Sequence, residues 1–351
     1  MQAPHTIEAF DARARARLDA YLSEHVPDFD GIRELSKFEG GQSNPTYRLS
    51  TATRNYVLRT KPAPATELLP SAHAIDREYR VISALGRAGI PVPETFVHCE
   101  DEGIIGRQFY LMGFVSGRIF WDQALPMLPA SERAAIYGEM NRVIAALHSV
   151  DPANAGLADF GKPGNYFGRQ ISRWTKQYRA SQTQVQPAME QLIEWLPGHI
   201  PDGEETCIVH GDFRLDNLVF HPTEPRVTAI LDWELATLGH PLADFSYHCL
   251  GYRIAPHQFR GIAGLDLPAL GIPSEQAYIA MYCDRTGRNR IDDWEYYIAY
   301  NLFRLAAILQ GIAKRAEDGT AAAADAARVG AQARELAELG WAAALQCGKR
   351  G

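Results

Sequence analysis

The residues with the clearest chemical potential lie between positions 208 and 242. Ile208 and Val209 have the character of a buried strand end, and the motif His210-Gly211-Asp212 follows them directly. Asn217 and then Asp232 come later in the same stretch. Two carboxylates and an amide oxygen are hard ligands that suit Mg²⁺, an ion usually held by one or two carboxylates plus substrate phosphates.

A β-hairpin is predicted between Asn217 and Asp232. Strand-like runs at Leu218–Phe220 and Val227–Leu231 flank a polar segment with two prolines, as expected of a turn. The open ends of an antiparallel hairpin lie together, so Asn217 should come beside Asp232, with Asp212 one loop away. Each residue alone is typical of a turn. The ordered set instead indicates a metal-assisted active site.

This ordered set resembles the catalytic and metal-binding loops of the aminoglycoside phosphotransferase family, which is similar to the protein kinases. The likeness lies in His210-Gly211-Asp212 with Asn217, and in the run from Leu231-Asp232-Trp233-Glu234 to Asp244. It extends to a branch that includes the kinase-like domain fused to acyl-CoA dehydrogenases in animal proteins. The resemblance implies that Asp212 is the catalytic base and that Asn217 and Asp232 hold Mg²⁺ on ATP. It also implies that Asp244 braces the catalytic loop.

Upstream segments match the nucleotide-binding half of such a fold. A predicted glycine turn, Gly41-Gln42-Ser43-Asn44, lies between two strands, where backbone N–H groups can approach a phosphate. An ordinary hairpin turn would have the same glycines, but a kinase places its phosphate-covering loop at this position. By the same resemblance, the hinge after the strand Gln108–Val115 would bind the adenine edge through backbone at Gly113 and Val115.

A cation and a carboxylate complete the predicted phosphate site. Arg59 lies on the strand Asn55–Lys61, where related enzymes usually have lysine, and Lys61 shares its face by strand alternation. Either residue could therefore reach the phosphates. Glu78 lies on the apolar face of a predicted helix, Ser71–Ala88, where an unpaired carboxylate would be costly. We expect Glu78 to contact Arg59 and not Lys61.

Composition indicates an ordinary globular enzyme and argues against several other classes. The 351 residues are 46% hydrophobic and 22% charged, which suits two lobes with their own cores. A net charge of -7 gives no general attraction to nucleic acid or membrane, and no apolar run is long enough to span a bilayer. Five scattered cysteines and an N-terminus without a signal-peptide core predict reduced thiols in a cytoplasmic protein.

One basic segment is unusual in this acidic chain. Gly161–Met189 has five cations and no acidic residue. On a helical wheel its cations and its apolar residues form opposite stripes: Arg169, Arg173 and Lys176 against Ile171, Trp174 and Tyr178. That pattern is typical of a solvated face behind a core face. If the basic stripe instead bordered the acceptor cleft, it would favour an anionic substrate.

Together these features predict an α+β, bilobal protein-kinase-like fold. A β-rich N-terminal lobe (residues 1–115) would bind nucleotide, and a larger helical C-terminal lobe (residues 116–351) would carry the catalytic and substrate sites. Helical patterns in the second lobe include Ser274–Thr286, Trp294–Glu317 and Ala321–Ala344.

The predicted activity is transfer of the ATP γ-phosphoryl group, with Mg²⁺, to a hydroxyl of a small molecule. An anionic acceptor such as a hydroxyacyl-CoA is favoured by the basic stripe and by the resemblance. A nucleotide-binding pseudokinase and a true aminoglycoside kinase are the alternatives. Arg59 in place of lysine favours a pseudokinase, whereas the presence of Asp212, Asn217 and Asp232 argues against one.

Overall fold

The computed structural model describes residues 10–38, 44–62, 74–320 and 326–347. Its first part contains two helices and five strands: α1 (Ala12–His25), β1 (Glu34–Lys37), β2 (Thr46–Ser50), β3 (Asn55–Thr60), α2 (Ile75–Arg87), β4 (Thr95–Cys99) and β5 (Phe109–Gly113). The strands form one antiparallel sheet in the order β1-β2-β3-β5-β4. The predicted β-rich N-terminal region is therefore present.

Strand β3 divides its side chains between a core and a cleft. Leu58 packs with Leu18 and Leu22 of α1 in a small core on one face of the sheet. Val57 and Arg59 point to the other face, where they line a cleft. This division follows from the two-residue period of a strand, and it aims a guanidinium at the space between the sheet and the rest of the molecule.

The second part of the chain is mainly helical. It contains α3 (Ala130–His148), α4 (Tyr166–Ser181), α5 (Pro187–Trp195), α6 (Pro241–His248), α7 (Pro256–Phe259), α8 (Leu267–Leu270), α9 (Glu275–Thr286), α10 (Trp294–Glu317), α11 (Ala326–Gly330) and α12 (Ala333–Ala344). Helix α10 is buried on most of its circumference and contacts α4, α6 and α12. A helix that is apolar on nearly all sides belongs in a core, and α10 is the centre of this one.

Four short strands shape the loops between α5 and α6. They are β6 (Cys207–Val209), β7 (Leu218–Phe220), β8 (Val227–Ile230) and β9 (Thr237–Gly239). β6 pairs with β9, and β7 pairs with β8 as the predicted antiparallel hairpin. A hydrogen bond of 2.8 Å from Leu231 N to the Asn217 carbonyl closes the open end of the hairpin.

The segment after β5 is tied to that hairpin. Arg118 and Phe220 exchange two backbone hydrogen bonds of 2.8 Å each. A Cβ atom at Gly117 would lie 2.2 Å from the Phe220 carbonyl oxygen, so only glycine fits there. The tie holds the sheet and the hairpin on either side of the cleft.

Two of the three helices predicted in the C-terminal part have the predicted boundaries to within one residue. The helices predicted at 274–286 and 294–317 are confirmed, with Ser274 capping α9 through a 3.2 Å bond to Ala277 N. The single helix predicted over 321–344 is wrong in its described part, which is divided into α11 and α12. Gly330, at the end of α11, is a weak helix former, and α10 lies too close for a side chain there, since a Cβ would be 2.6 Å from Ala313 Cα. Among the described residues, no helix is long and apolar enough to cross a membrane.

Candidate active site

The catalytic loop begins where the buried strand β6 ends. The backbone N–H groups of His210 and Gly211 donate to the two oxygens of Asp244, at 2.8 and 2.9 Å. Asp244 lies on α6 and also accepts a 3.2 Å hydrogen bond from His148 Nε2. Burial alone would raise the pKa of Asp244, but the His148 hydrogen bond and the backbone donor outweigh it and lower that pKa. The carboxylate therefore stays charged and fixes the loop, in the place that the sequence predicted.

The Asp212 carboxylate is held from three sides. Tyr247 OH donates to Oδ1 at 2.6 Å, and Arg214 Nε lies 3.1 Å from the same oxygen. Asn217 Nδ2 donates to Oδ2 at 3.1 Å and to the Asp212 carbonyl at 2.9 Å. The carboxylate is thus oriented in a loop whose backbone is also fixed. Such an oriented, accessible carboxylate can accept a proton from a bound hydroxyl group.

Asn217 and Asp232 meet at the open end of the β7–β8 hairpin, as the sequence predicted. Asp232 adopts a left-handed backbone conformation (φ 64°), and its side chain is 41% exposed toward the cleft. No group of three or more His, Cys, Asp or Glu side chains in the described part of the chain could hold a metal. One carboxylate and one amide oxygen fit the smaller protein share of a Mg²⁺ shell that substrate phosphates complete.

Arg59 and Glu78 form the predicted ion pair between the sheet and α2. Arg59 Nε lies 2.6 Å from Glu78 Oε2, and Glu78 is almost fully buried. Tyr110 OH donates to Glu78 at 3.0 Å, while Arg59 Nη2 also lies 3.4 Å from Asp232 Oδ1. Burial alone would lower the pKa of Arg59, but the charge of Glu78 outweighs it and raises that pKa. The guanidinium is therefore a permanent cation at the wall of the cleft.

Lys61 and Asn44, the other described residues of the predicted phosphate site, each have a side-chain partner. Lys61 follows the end of β3 and donates to Gln108 Oε1 at 2.6 Å, so the expectation that Glu78 contacts Arg59 and not Lys61 is confirmed. Asn44 is buried and donates to Glu78 Oε1 at 2.9 Å, which makes it a support of the ion pair in this structure. The other residues of the glycine turn lie outside the described residues: Gly41, Gln42 and Ser43.

The cleft under the sheet is lined by four of the predicted nucleotide-binding residues, Arg59, Glu78, Gly113 and Val115. It has about 1300 Å³ of open space, and its apolar walls come from both parts of the chain. Gly113 and Val115 line it at the hinge, together with the residues Phe38, Met112, Phe114, Val219 and Ile230. The N–H groups of Gly113 and Phe114 already donate to the carbonyls of Glu94 and Asn55, at 2.8 and 3.2 Å. A base bound here would need hinge groups other than these two N–H groups, such as the carbonyl of Gly113 or the backbone of Val115.

A second pocket is lined by residues that contact Asp212. Tyr247 and Arg214, which both contact the Asp212 carboxylate, line it. Arg260 lies 2.8 Å from Asp216 at its rim and stacks over the Trp121 ring at 5.1 Å. The remaining walls are mostly apolar, with Met140, Leu215, Leu250, Ile254, Phe259 and Leu305. The pocket has about 690 Å³ of space when open solvent is counted, and its interior volume is only about 50 Å³.

The sequence did not predict Arg214, Tyr247 or Arg260 as site residues. Two signals were available: Arg214 lies between Asp212 and Asn217, and Tyr247 is one helical turn beyond Asp244. Arg260 is 48 positions from Asp212 and has no local pattern that connects it to the loop. Its place in the site depends on how the chain folds between α6 and α8.

The basic stripe on α4 lies apart from both pockets. Ile171, Trp174 and Tyr178 are buried, as predicted for the apolar stripe. The cations line a shallow open surface with Asn165, Gly168 and Ser172, and α4 contributes none of the described residues that line the cleft or the second pocket. Since Arg173 and Lys176 are exposed, the stripe is the solvated face of a core helix. The basic stripe therefore does not border either pocket, which was the condition for it to favour an anionic substrate.

Residues 34–294 match the family model described as the phosphotransferase enzyme family, APH. The chain belongs to the aminoglycoside phosphotransferase family. The resemblance inferred from the catalytic motifs is thereby confirmed, and the APH family membership supports a kinase-type transferase.

Solved structures of APH proteins share this fold. A candidate aminoglycoside phosphotransferase of Ralstonia eutropha is 56% identical, with a TM-score of 0.88 over 94% of this chain and 98% of that chain. The spectinomycin phosphotransferase APH(9)-Ia, solved with ADP and spectinomycin, has 12% identity and a TM-score of 0.60 over 93% of this chain and 98% of that chain. The predicted bilobal protein-kinase-like fold is confirmed.

Longer animal proteins contain a segment similar to this APH chain. Acyl-CoA dehydrogenase family member 10 of Mus musculus is 50% identical over 323 residues, which are 91% of this chain and 30% of that protein. Acyl-CoA dehydrogenase family member 11 of Homo sapiens is 42% identical over 350 residues, which are 97% of this chain and 43% of that protein. The chain therefore spans less than half the length of these relatives.

Proposed function

We propose that this protein transfers the γ-phosphoryl group of ATP to a hydroxyl of a small anionic molecule. The observation that carries the proposal is that Asp212 contacts lining residues of two pockets. Its carboxylate contacts Asn217, which lines the cleft with Arg59 and Asp232, and it also contacts Arg214, which lines the second pocket. A base at the boundary between a nucleotide and an acceptor is what phosphoryl transfer to a hydroxyl requires.

In the proposed reaction, Asp212 accepts the proton of the acceptor hydroxyl while that oxygen attacks the γ-phosphorus. The bond from the γ-phosphorus to the bridging oxygen breaks, and this oxygen leaves with ADP. Asn217 and Asp232 would hold Mg²⁺, which neutralises phosphate charge when it is bound. Arg59, oriented by Glu78, would pair with the phosphates. Catalysis would then rest on positioning and electrostatics.

The N-terminal lobe, residues 1–115, would bind the nucleotide. Gly113 and Val115 would bind the adenine edge, and the glycine turn Gly41–Asn44 would cover the phosphates. Residues 116–351 would form the catalytic and acceptor lobe. Relatives solved with ADP or with AMP-PNP support a nucleotide in this cleft, although they share only the fold at their low identity.

The acceptor class is proposed from the second pocket. Its lining has two arginines, Arg214 and Arg260, and one carboxylate, Asp216, while Asp212 beside it also contacts Arg214. The two guanidinium groups would pair with an anionic ligand. Apolar walls beside those cations suit a molecule with an acyl portion. The names of the acyl-CoA dehydrogenase relatives agree with a hydroxyacyl-CoA. A polycationic aminoglycoside would meet the wrong charge in this pocket.

A screen of ATP consumption across hydroxylated carboxylates, hydroxyacyl-CoAs and aminoglycosides tests the proposal. The Asp212→Asn variant serves as the blank, and Asp292→Asn, at an exposed surface carboxylate, is the matched control. We expect turnover with an anionic acceptor that Asp212→Asn lowers by several orders of magnitude while Mg-ATP affinity is retained. If Asp212→Asn retained more than a few per cent of the wild-type kcat, Asp212 would not be the catalytic base. Mg-ATP binding without turnover of any acceptor would support a pseudokinase, and efficient phosphorylation of kanamycin would support an aminoglycoside kinase.

A further inference from the structure

One helix holds both the backbone and the carboxylate of the catalytic loop. Asp244 of α6 accepts the N–H groups of His210 and Gly211, and Tyr247, three residues later on the same helix, donates to Asp212 Oδ1 at 2.6 Å. Residues three apart lie on the same face of a helix, so α6 presents both contacts to the loop at once. Only the Asp244 contact was expected from the sequence.

The Tyr247 ring is fixed and its hydroxyl stays protonated. Burial raises the pKa of Tyr247 far above its ordinary value, and the nearby charge of Asp212 adds to that rise. Arg304 lies over the ring at 4.7 Å and donates to the Gly211 carbonyl at 2.5 Å, so the ring and the loop share a support from α10. Because this phenol is buried and protonated and its ring is fixed, its hydroxyl is held in position to donate to Asp212.

The contacts on Asp212 leave its two oxygens in different surroundings. Oδ1 accepts from Tyr247 and lies 3.1 Å from Arg214 Nε, whereas Oδ2 accepts from Asn217 Nδ2 at 3.1 Å. A carboxylate has about four acceptor directions, two on each oxygen. Oδ1 therefore has both a hydroxyl and a guanidinium beside it, and both come from residues that line the second pocket, whereas Oδ2 has the amide of Asn217, which lines the cleft.

We propose that Tyr247 is a positioning residue that fixes the rotation of the Asp212 carboxylate toward the acceptor hydroxyl. The inference rests on the proposed phosphoryl transfer. Tyr247 lines the second pocket and is not among the described residues that line the nucleotide cleft, and its hydroxyl donates to Asp212, so its effect passes through Asp212. Loss of its hydroxyl should therefore lower kcat and leave ATP binding unchanged.

The test is Tyr247→Phe, which removes one hydroxyl and keeps the ring. Tyr296→Phe is the matched control, because it also removes a buried hydroxyl, one that donates to the Leu196 carbonyl at 3.3 Å away from both pockets. We expect kcat to fall roughly 100-fold in Tyr247→Phe, the scale of a misplacement of about 1 Å in a catalytic group. KM for ATP and calorimetric Mg-ATP affinity should match the wild type, and that affinity also verifies folding. Tyr296→Phe should keep wild-type kcat.

A double-mutant cycle with Asp212→Asn separates positioning from a general structural effect. If Tyr247 acts through Asp212, adding Tyr247→Phe to Asp212→Asn should cost almost nothing further. An equal fold-loss in both backgrounds, a wild-type kcat in Tyr247→Phe, or a change confined to acceptor KM would each overturn the assignment. Slow ATP hydrolysis, with water as the acceptor, allows the same comparison before the acceptor is known. A wild type without any turnover contradicts the proposed function itself, which is a different outcome.

Discussion

Replacing Glu78 with alanine should destabilise the protein and impair catalysis together. The substitution leaves the Arg59 guanidinium in a site where its side chain is 14% exposed, and it removes the acceptor of the Tyr110 hydroxyl. Breaking one partner out of a buried pair costs about 3–5 kcal/mol. Asp232 and Glu234 lie 3.4 and 3.9 Å from Arg59 and compensate part of the lost charge. We therefore expect the free energy of unfolding to fall by about 3 kcal/mol, the lower end of that range.

Denaturant unfolding, followed by tryptophan fluorescence, measures this loss against two controls. Glu94→Ala breaks the Arg54–Glu94 pair, whose side chains are 46% and 62% exposed, and an exposed pair contributes about 0–1 kcal/mol. Tyr110→Phe removes one donor to Glu78 and keeps the ion pair, so it should cost about 1 kcal/mol. Comparing the three losses in unfolding free energy separates the contribution of the buried ion pair from that of the hydrogen bond and from that of a surface ion pair.

Turnover provides the second measurement. With Glu78 removed, Arg59 can turn toward Asp232, so kcat/KM for ATP should fall in Glu78→Ala and stay near wild type in Glu94→Ala. A loss below about 1 kcal/mol in Glu78→Ala would refute the buried-pair reasoning, because it would equal that of an exposed pair. A loss in Tyr110→Phe as large as in Glu78→Ala would attribute the effect to hydrogen bonding instead of charge.

Other predictions concern the metal ligand, the acceptor cations and the pH dependence of stability. Asp232→Ala should abolish the Mg²⁺-dependent part of ATP binding, and calorimetry that finds this part unchanged would contradict the metal role. Arg260→Ala should raise KM for an anionic acceptor several-fold, whereas reversal of Arg169 and Arg173 to glutamate should leave that KM unchanged, because the stripe lines neither pocket. The free energy of unfolding should fall as pH drops from about 6.5 to about 4, because burial lowers the folded-state pKa of His248 to about 4 and the unfolded state binds more protons in this window. His248→Gln should flatten that part of the pH profile in denaturant titrations; an unchanged slope would show that other groups cause it.

Local order in the sequence determined the catalytic loop and its metal-side residues. Asp212, Asn217 and Asp232 lie within a segment of 21 residues. The two strands of a short antiparallel hairpin bring its open ends together, and this places Asn217 beside Asp232. The Arg59–Glu78 pair was also predictable, because a carboxylate on an apolar helix face needs a cation and a strand upstream offered one. In each case the constraint lies within one element or between two elements that are close in sequence.

Only the tertiary structure decided which cations face the acceptor. Periodicity identified the two stripes of α4, but it did not show that the basic stripe lies apart from both pockets. An amphipathic pattern shows which side of a helix faces the core, and it does not show where a cleft lies on the surface. Arg260 and Tyr247 reach the site from α6 and the segments after it, at 48 and 35 positions from Asp212. Contacts between elements so far apart depend on how α6 and α10 pack, and that packing, rather than any motif, placed Tyr247 against Asp212.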